Sequence, residues 1–455
     1  MFARMIVGKM FASLLELFGT LKASPYAMLG ILVGVIMPVV SGWVFPAYQS
    51  QLATQWLEWT KLLEAPFLVC EFLVVTFAVH RGMEIGQFIR AMTLDIKVAS
   101  TLLMVGIWFS SVFISAEPAT SIALSLGTLL HILFAFSILY LAENNGRPQF
   151  DSFWLSMGMG LLVLCVYIAW RFLLPVPPSM VPGGKIEWGF AIPGFINVRY
   201  FGTWTGAIAM AFVAMVIQRG EKARVSWPDF YMFVAMAMTI WSGTRAAILG
   251  LIVATIAMLI AQRRMPSFAT FGRLCIISGL AAITAWLLLP ENAPEFMLFQ
   301  FDELGHAGTF TTNGRTELWI ATYDKWLEAP WFGWGSGSLF WEVFLGWRHT
   351  QPHNAFMQFL MSWGVIGATG ACWLLGRAVY AAQQATNKNP ELWPFMAMLI
   401  ALLTMSMVDG ALYYPRFVMM IMLCLAVMLS GIRFRNLEEN TSGIIGDRDQ
   451  RYRPA

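Results

Sequence analysis

The hydrophobic residues of this chain occur in long runs that are separated by shorter polar segments. A helix needs about 20 apolar residues to cross the hydrocarbon layer of a membrane. The run at residues 229–241 is shorter than the others and could begin at Val225. The pattern predicts twelve membrane-spanning helices, at residues 26–45, 62–80, 98–116, 121–142, 153–174, 201–218, 229–241, 244–261, 274–289, 353–375, 392–408 and 417–432.

The composition agrees with this pattern. Hydrophobic residues make up 58% of the chain and charged residues only 12%, against about 25% charged in soluble proteins. A soluble monomer, a disordered chain and a disulfide-stapled secreted domain are therefore excluded. The five cysteines lie inside apolar runs without the spacing of a metal site. We predict an all-α polytopic membrane protein with about 12 transmembrane helices, without a cofactor and without a nucleic-acid partner.

The basic residues indicate the orientation. If the N-terminus is inside, 20 of the 29 Lys and Arg residues fall on the inner side and nine on the outer side. Cytoplasmic loops are enriched in Lys and Arg, so both termini are predicted to be cytoplasmic. The chain then divides into a basic amphipathic N-terminus (1–25), nine spans (26–289), a large outer loop (290–352), three spans (353–432) and a polar tail (433–455).

Two arginines on the outer side indicate an anion site. Arg315 lies in the first turn of an amphipathic helix predicted in the outer loop, where Trp319, Tyr323, Trp326 and Leu327 have helical spacing and favour a position on the membrane surface. Arg245 lies in the first turn of the eighth span. The dipole at a helix N-terminus makes a cation there unfavourable by itself. The position becomes favourable if an anion binds both the arginine side chain and the helix N-terminus. The alternative is a pair of arginines that snorkel to the lipid headgroups.

His353 opens the tenth span, directly after Pro352. A helix N-terminus disfavours the imidazolium form, and a neutral ring can accept a proton from a hydroxyl group. His353 is therefore a candidate general base. The alternative is an interfacial histidine bonded to lipid or to Asn354, which is itself a candidate substrate ligand.

Further candidates lie nearby in the sequence. Gly333 and Gly335 could present backbone N–H groups to phosphate, or they could allow tight turns. Arg199 could add another cation at the outer start of the sixth span. Asp409 and Arg416 flank the last outer hairpin, where they could pair with each other or line a cleft.

Two ionisable residues lie deep within the predicted spans, Glu71 and His131. Such residues usually face the interior and find partners. They could form a structural pair or belong to the proton relay of a transporter. A transporter would normally also show broken helices, and the sequence shows no clear sign of them.

Several of these motifs together resemble the O-antigen ligase and O-antigen polymerase (Wzy-like) superfamily. They are SGTRAAILG around Arg245, GRTELW around Arg315, P-x-x-G-x-G at residues 330–335 and PHN around His353. The resemblance also covers the frame of many spans with one large outer loop before the third-last span. It implies a bacterial inner-membrane glycosyltransferase of the GT-C type, which takes a glycan from undecaprenyl pyrophosphate at the periplasmic face.

The resemblance assigns roles to three residues. Arg245 and Arg315 would bind the pyrophosphate, and His353 would be the catalytic residue. Arginine forks can stabilise a phosphate leaving group without a metal ion, and no acidic cluster of the outer loops is suited to hold one. We therefore predict metal-independent transfer, with His353 deprotonating the acceptor hydroxyl and inversion at the anomeric centre.

The acceptor divides the superfamily. A ligase of lipopolysaccharide biosynthesis uses a lipid A core sugar, a polysaccharide polymerase uses another lipid-linked repeat, and a protein O-oligosaccharyltransferase uses Ser or Thr. The absence of a large additional periplasmic domain argues against the protein-glycosylating branch, and we favour the ligase over the polymerase. The competing classes are a transporter or flippase for the lipid-linked glycan, which should tolerate loss of His353, and a structural membrane subunit.

Overall fold

The computed structural model describes residues 25–44, 64–144, 150–173, 192–195, 197–220, 225–263, 265–289, 315–336 and 351–430. Within these ranges the chain forms helices joined by turns, without a β-strand. The helices are α1 (Pro25–Val44), α2 (Ala65–His80), α3 (Ile85–Ala91), α4 (Leu94–Ile114), α5 (Pro118–Asn144), α6 (Phe150–Leu173), α7 (Val198–Arg219), α8 (Trp227–Trp241), α9 (Arg245–Gln262), α10 (Phe268–Leu287), α11 (Arg315–Leu327), α12 (Ala355–Lys388), α13 (Trp393–Asp409) and α14 (Pro415–Ser430).

Some predicted segments lie outside the described residues. They are nearly all of the N-terminal segment 1–25, the tail 433–455, and residues 290–314 and 337–350 of the predicted outer loop. Within that loop, the described residues confirm the predicted amphipathic helix as α11, which begins at Arg315 and ends before Pro330.

Each of the twelve predicted spans coincides with a helix. Within the described ranges, nine helices are long and apolar enough to cross a membrane, and a tenth results if α2 and α3, which meet at 89°, are counted together. The two shorter helices are α8 and α14. With 15 residues, α8 is roughly 22 Å long, which is less than the hydrocarbon thickness of about 30 Å. The chain is thus a polytopic helical membrane protein. Nine or ten helices of the described ranges meet this criterion, against twelve predicted spans.

The start of α8 lies two residues before the predicted boundary at Asp229. The reason is a local cap: the backbone N–H and the hydroxyl of Ser226 both donate to Oδ2 of Asp229, at 2.8 Å each. A carboxylate in the first turn also suits the helix dipole. Asp229 further binds Arg273 of α10, which ties these two helices together at this end.

Helix α7 forms the centre of the bundle. Its residues from Val198 to Ile217 are nearly all buried, and it packs against α8, α9 and α13. A helix that is apolar on all sides is expected in an interior position. Small residues such as Gly202 and Gly206 let neighbouring helices approach closely.

The helix directions place the candidate residues at one end of the bundle. The starts of α7, α9 and α12 and the end of α13 meet there, and we call this end the site end. At the opposite end, Gln218 of α7 donates to the carbonyl of Pro390, just before α13. Arg377 of α12 pairs there with Asp95 of α4 at 3.0 Å.

Helix α12 is broken at Gly364, where φ is 61° and ψ is −170°. The break divides it into a short arm (residues 355–363) and a long arm (residues 365–388). The carbonyl oxygens of Pro330 and Trp331 accept from the N–H groups of Val365 and Ile366, at 2.9 and 3.2 Å. The span predicted for residues 353–375 therefore coincides with a helix, but this helix is broken at Gly364, where the turn after α11 inserts.

The buried pair Glu71 and His131 joins α2 to α5. Nδ1 of His131 lies 2.8 and 2.7 Å from the two carboxylate oxygens of Glu71. The two side chains are each other's partner, as the structural interpretation of the sequence expected.

Candidate active site

The candidate site is built from helix ends. Asn197 caps α7 by accepting from the N–H of Arg199 at 2.9 Å, and Thr244 precedes α9, whose first residue is Arg245. Arg315 opens α11 and His353 precedes α12. Helix ends carry unsatisfied backbone groups and favour polar side chains, which explains why polar residues collect at this end of an apolar bundle.

Asp409, the last residue of α13, lies between the two main candidates. Its Oδ1 accepts from Nη2 of Arg315 at 3.1 Å and lies 3.8 Å from Nδ1 of His353. The carboxylate is buried, whereas the Arg315 and His353 side chains are partly exposed. The structure thus brings together two of the three predicted catalytic residues on one carboxylate.

Arg199 and Arg245 complete a cluster of cations. Burial lowers the pKa of the Arg315 guanidinium, the charge of Asp409 raises it, and the charges of Arg199 and Arg245 lower it further. Arginine stays protonated despite such shifts. Arg199 and Arg245 therefore both lie within electrostatic range of Arg315, and the carboxylate of Asp409 lies beside it. An excess of cations of this kind favours the binding of an anion.

The backbone of His353 is strained, with φ at 54°. A positive φ is uncommon for a residue other than glycine, and such strain is often held at functional sites. The preceding carbonyl of Pro352 accepts from Nε1 of Trp319 on α11 at 2.8 Å. This contact ties the His353 segment to the helix that carries Arg315.

Asn354 holds the other side of His353. Its Oδ1 caps the short arm by accepting from the N–H of Met357, and its Nδ2 donates to the carbonyl of Met407, both at 3.1 Å. Because both ends of the amide are engaged within the protein, Asn354 positions His353 between α12 and α13. Its predicted role as a substrate ligand stays a prediction.

The predicted phosphate contact of Gly333 and Gly335 is not supported. Their N–H groups donate to the carbonyls of Ala329 and Ser362, at 2.8 and 3.0 Å. Both have positive φ, and a Cβ on Gly333 would lie 2.5 Å from the carbonyl oxygen of Met361. The two glycines therefore form the tight turn that fits into the break of α12, which is the alternative interpretation of the sequence.

Arg416 also has partners within the protein. Its Nε donates to Glu64 at 2.7 Å and its Nη2 donates to the carbonyl of Gly194 at 2.6 Å. The guanidinium is buried between the rings of Phe67 and Phe195. It does not pair with Asp409, and the structure places it in a buried ion pair instead of the predicted ligand set.

The sequence missed three residues near the cluster. Nε2 of Gln351 donates to the hydroxyl of Tyr200 at 3.2 Å, and the ring of Tyr200 packs against Tyr414 at 4.2 Å. Tyr200 also lies within electrostatic range of Asp409 and Arg199. Their positions in the sequence could have indicated two of them, since Tyr200 directly follows Arg199 and Gln351 directly precedes the PHN motif.

The described residues contain no group of three or more His, Cys, Asp or Glu that could hold a metal ion. Metal-independent chemistry stays a prediction. The arrangement itself can bind a multiply charged anion through its guanidinium groups, and it can hold an imidazole ring beside a carboxylate.

Comparison with known families identifies part of the chain. Residues 230–372 match the family model described as O-antigen ligase (Wzy_C). The match covers less than half of the chain and contains Arg245, Arg315 and His353, while Arg199 and Asp409 lie outside it. It confirms the resemblance to the O-antigen ligase superfamily found in the motifs. No curated protein matches the chain.

Proposed function

We propose that this protein transfers a glycan from undecaprenyl pyrophosphate to an acceptor hydroxyl group at the site end of the bundle. The main support is the shared contact of Arg315 and His353 with Asp409. This arrangement puts an anion-binding group and a proton acceptor side by side. The O-antigen ligase match over the same segment favours the same class of reaction.

The arginines would bind the diphosphate of the donor. Arg315 uses one nitrogen for Asp409, and a guanidinium has five donors, so the others can reach phosphate oxygens. Arg245 and Arg199 would share the charge. Negative charge on the diphosphate grows as the glycosidic bond breaks, and fixed cations stabilise the transition state more than the bound substrate.

His353 would accept the proton of the acceptor hydroxyl. The acceptor oxygen forms a bond to the anomeric carbon, and the bond from that carbon to the phosphate oxygen breaks. The electron pair leaves with undecaprenyl pyrophosphate, and the anomeric centre is inverted. Asp409 would hold the imidazole ring and stabilise its protonated form.

We place the reaction at the periplasmic face of a bacterial inner membrane, with a lipid A core sugar as acceptor. A lipid-linked repeat unit, as used by a polymerase, and a Ser or Thr side chain are the alternative acceptors. The positive-inside distribution supports this orientation.

A transporter of the lipid-linked glycan is the second candidate, and the break of α12 at Gly364 is the observation that favours it. Discontinuous helices line the binding sites of many transporters. Here the turn after α11 fills the break, so its backbone groups are already paired. This favours a fixed scaffold for His353 over a moving gate.

The test is a transfer assay with the purified protein, lipid-linked glycan and candidate acceptors. His353→Ala and Arg315→Ala should each lower the rate on the order of 100-fold or more. The matched controls are His80→Ala and Arg90→Ala, which replace exposed residues of α2 and α3 at the opposite end. They should keep the wild-type rate.

Two outcomes would contradict the proposal. Equal product from the wild type and both site variants would exclude the enzyme. Donor movement across proteoliposomes that survives His353→Ala, without glycan transfer by the wild type, would favour the transporter.

A further inference from the structure

Helix α11 presents three different faces. Leu318 and Thr322 are buried against the protein. Ile320, Tyr323 and Leu327 are exposed at 58%, 48% and 50%, and we call them the apolar stripe. At about 100° per residue, the apolar stripe is centred roughly 150° from the buried face.

An acidic stripe, Glu317 and Asp324, follows about 80° further round the helix and is also exposed. From Glu317 to Leu327, the exposed surface of α11 is therefore divided into one apolar and one acidic sector, while Thr316 in the first turn is an exposed polar residue on the apolar side. If the outer surface of α11 contacted only water, we would expect polar residues on both of these sectors. Of the four residues predicted to face the membrane, Trp319 and Trp326 instead bind carbonyl groups of the protein.

The apolar stripe leads towards a lipid-facing surface of the bundle. Trp331, in the turn after α11, is 65% exposed, and the ring of its neighbour Phe332 packs against that of Phe109, with 4.2 Å between the ring centroids. Phe109 in turn packs against Phe113 at the site end of α4, a candidate span, and the two side chains are 41% and 74% exposed. The exposed apolar surface thus continues from a membrane-spanning helix to the end of α11.

We propose that α11 lies in the membrane interface at the site end, with its apolar stripe in the lipid and its acidic stripe in the water. Its partner is the lipid surface itself. Aromatic residues such as Tyr323 and Trp331 are typical of this level of the membrane. The anionic headgroups keep Glu317 and Asp324 on the water side.

A consequence follows for Arg315, the first residue of α11, and it rests on the proposed function. The apolar stripe would fix the depth of the helix and hold the guanidinium near the level of the lipid phosphates. A donor that diffuses in the leaflet would then reach Arg315 laterally, with its diphosphate already at the right depth.

The test compares two adjacent positions. Tyr323→Cys and Asp324→Cys, each in a chain whose five native cysteines are replaced by alanine, are labelled with an environment-sensitive fluorophore and reconstituted into phosphatidylcholine–phosphatidylglycerol vesicles. The label at 323 should emit at shorter wavelength and be quenched by lipids brominated near the headgroup. The label at 324 should resemble a label in water. Leu327→Cys repeats the test if the first variant does not fold.

Two results would overturn the placement. Position 323 could be as water-exposed as position 324. It could also be shielded without quenching, which would indicate a second copy of the chain or another protein segment on the stripe.

The consequence for the donor has its own readout. Ile320→Asp should raise the KM for lipid-linked donor about tenfold and leave the KM for the acceptor unchanged, while Asp324→Asn should change neither. If the KM for donor is unchanged, the hypothesis that the depth of α11 in the membrane helps Arg315 to bind the donor is wrong. Absence of transfer by the wild type, together with the expected quenching, would refute the proposed function and leave the position of α11 standing.

Discussion

At the scale of single residues, the carboxylate of Asp409 has two competing contacts. Its Oδ1 is close to both Arg315 and His353, while its Oδ2 is buried without a hydrogen-bond partner among the described residues. A buried carboxylate is costly unless charges or donors compensate it. Arg315 supplies that compensation in this structure. A bound diphosphate would compete with Asp409 for the same guanidinium. The carboxylate would then be compensated less by Arg315, so that its protonation, or a protonated His353 beside it, becomes more favourable.

Asp409→Asn tests this arrangement. The amide keeps the shape of the side chain but removes its charge. We expect kcat to fall about 10- to 100-fold, because the protonated His353 loses its stabilising partner. The KM for donor should stay equal or fall, because Arg315 is no longer neutralised. Steady-state kinetics with varied donor concentration separate the two effects.

Asp324→Asn is the matched control, since it removes the same charge from an exposed position on α11. An Asp409→Asn variant with wild-type kcat would refute the positioning role. A raised donor KM with unchanged kcat would instead assign Asp409 to donor binding.

At the scale of elements, the break of α12 couples the two parts of the site. The turn after α11 is bonded to both sides of Gly364, since Trp334 donates to the carbonyl of Met361 at 2.7 Å and Val365 donates to that of Pro330. Arg315, on α11, and His353, directly before the N-cap of α12, are therefore carried by two helices that this turn bonds to each other. A change at Gly364 should move both relative to Asp409, which belongs to α13.

Gly364→Ala should be strongly destabilising. Its φ of 61° with ψ of −170° belongs to a region that is essentially restricted to glycine. A Cβ would also lie 2.3 Å from backbone atoms of Trp331 and Phe332. We expect a loss of about 1–3 kcal/mol from the backbone alone, visible as a lower unfolding temperature in detergent, together with loss of transfer.

The control is Gly376→Ala, on the long arm of the same helix. It has helical geometry and open space around its Cβ position, so alanine should be neutral or stabilise by up to about 1 kcal/mol. If both variants behaved alike, the special role of the break would be wrong.

The buried pair of Arg416 and Glu64 joins the start of α14 to the start of α2. Removing one partner of such a pair leaves an uncompensated charge, which costs about 3–5 kcal/mol. Arg416→Gln should therefore lower stability strongly, and the double variant with Glu64→Gln should recover part of the loss. Thermal unfolding of the single and double variants gives the coupling energy.

Arg377→Gln provides the comparison, because Arg377 and Asp95 form an exposed pair at the opposite end. Exposed pairs contribute about 0–1 kcal/mol. Equal losses for Arg416→Gln and Arg377→Gln would show that burial does not set the strength of the Arg416 contact.

At the scale of the whole molecule, the sequence predicted the positions of the helices well and their pairing poorly. Apolar runs fix helices in a membrane because every backbone group must bond within its own segment. The break at Gly364 was missed because the residues around it continue the apolar pattern. Arg416 pairs with Glu64, which is 352 positions away in the sequence, so no local sequence pattern could predict this pair. Because of this pair, Arg416 is not part of the site around Asp409, although the two residues are close in the sequence. The convergence of Arg315 and His353 was predicted. Asp409 was only a candidate for lining a cleft or pairing with Arg416, and its position between the two catalytic candidates was not predicted.

The orientation of the molecule can be tested with the two ends of the bundle. Arg199, Arg245, Arg315 and Arg416 lie at the site end, and they belong to the candidate site or to a buried pair. Because these arginines are accounted for by the candidate site or by the buried pair, their position at the site end does not contradict the excess of Lys and Arg in the loops at the opposite end. The site end is thus expected on the outer side.

Cysteines introduced at Asp324 on α11 and at Gln87 on α3 report on the two ends, since both residues are exposed. In intact cells, a small charged maleimide that reaches the periplasm should label Asp324→Cys above the wild-type background. It should label Gln87→Cys only after the inner membrane is permeabilised. The reverse pattern would put the cation cluster in the cytoplasm, away from periplasmic acceptors, and would contradict the proposed reaction even if the geometry around Asp409 is right.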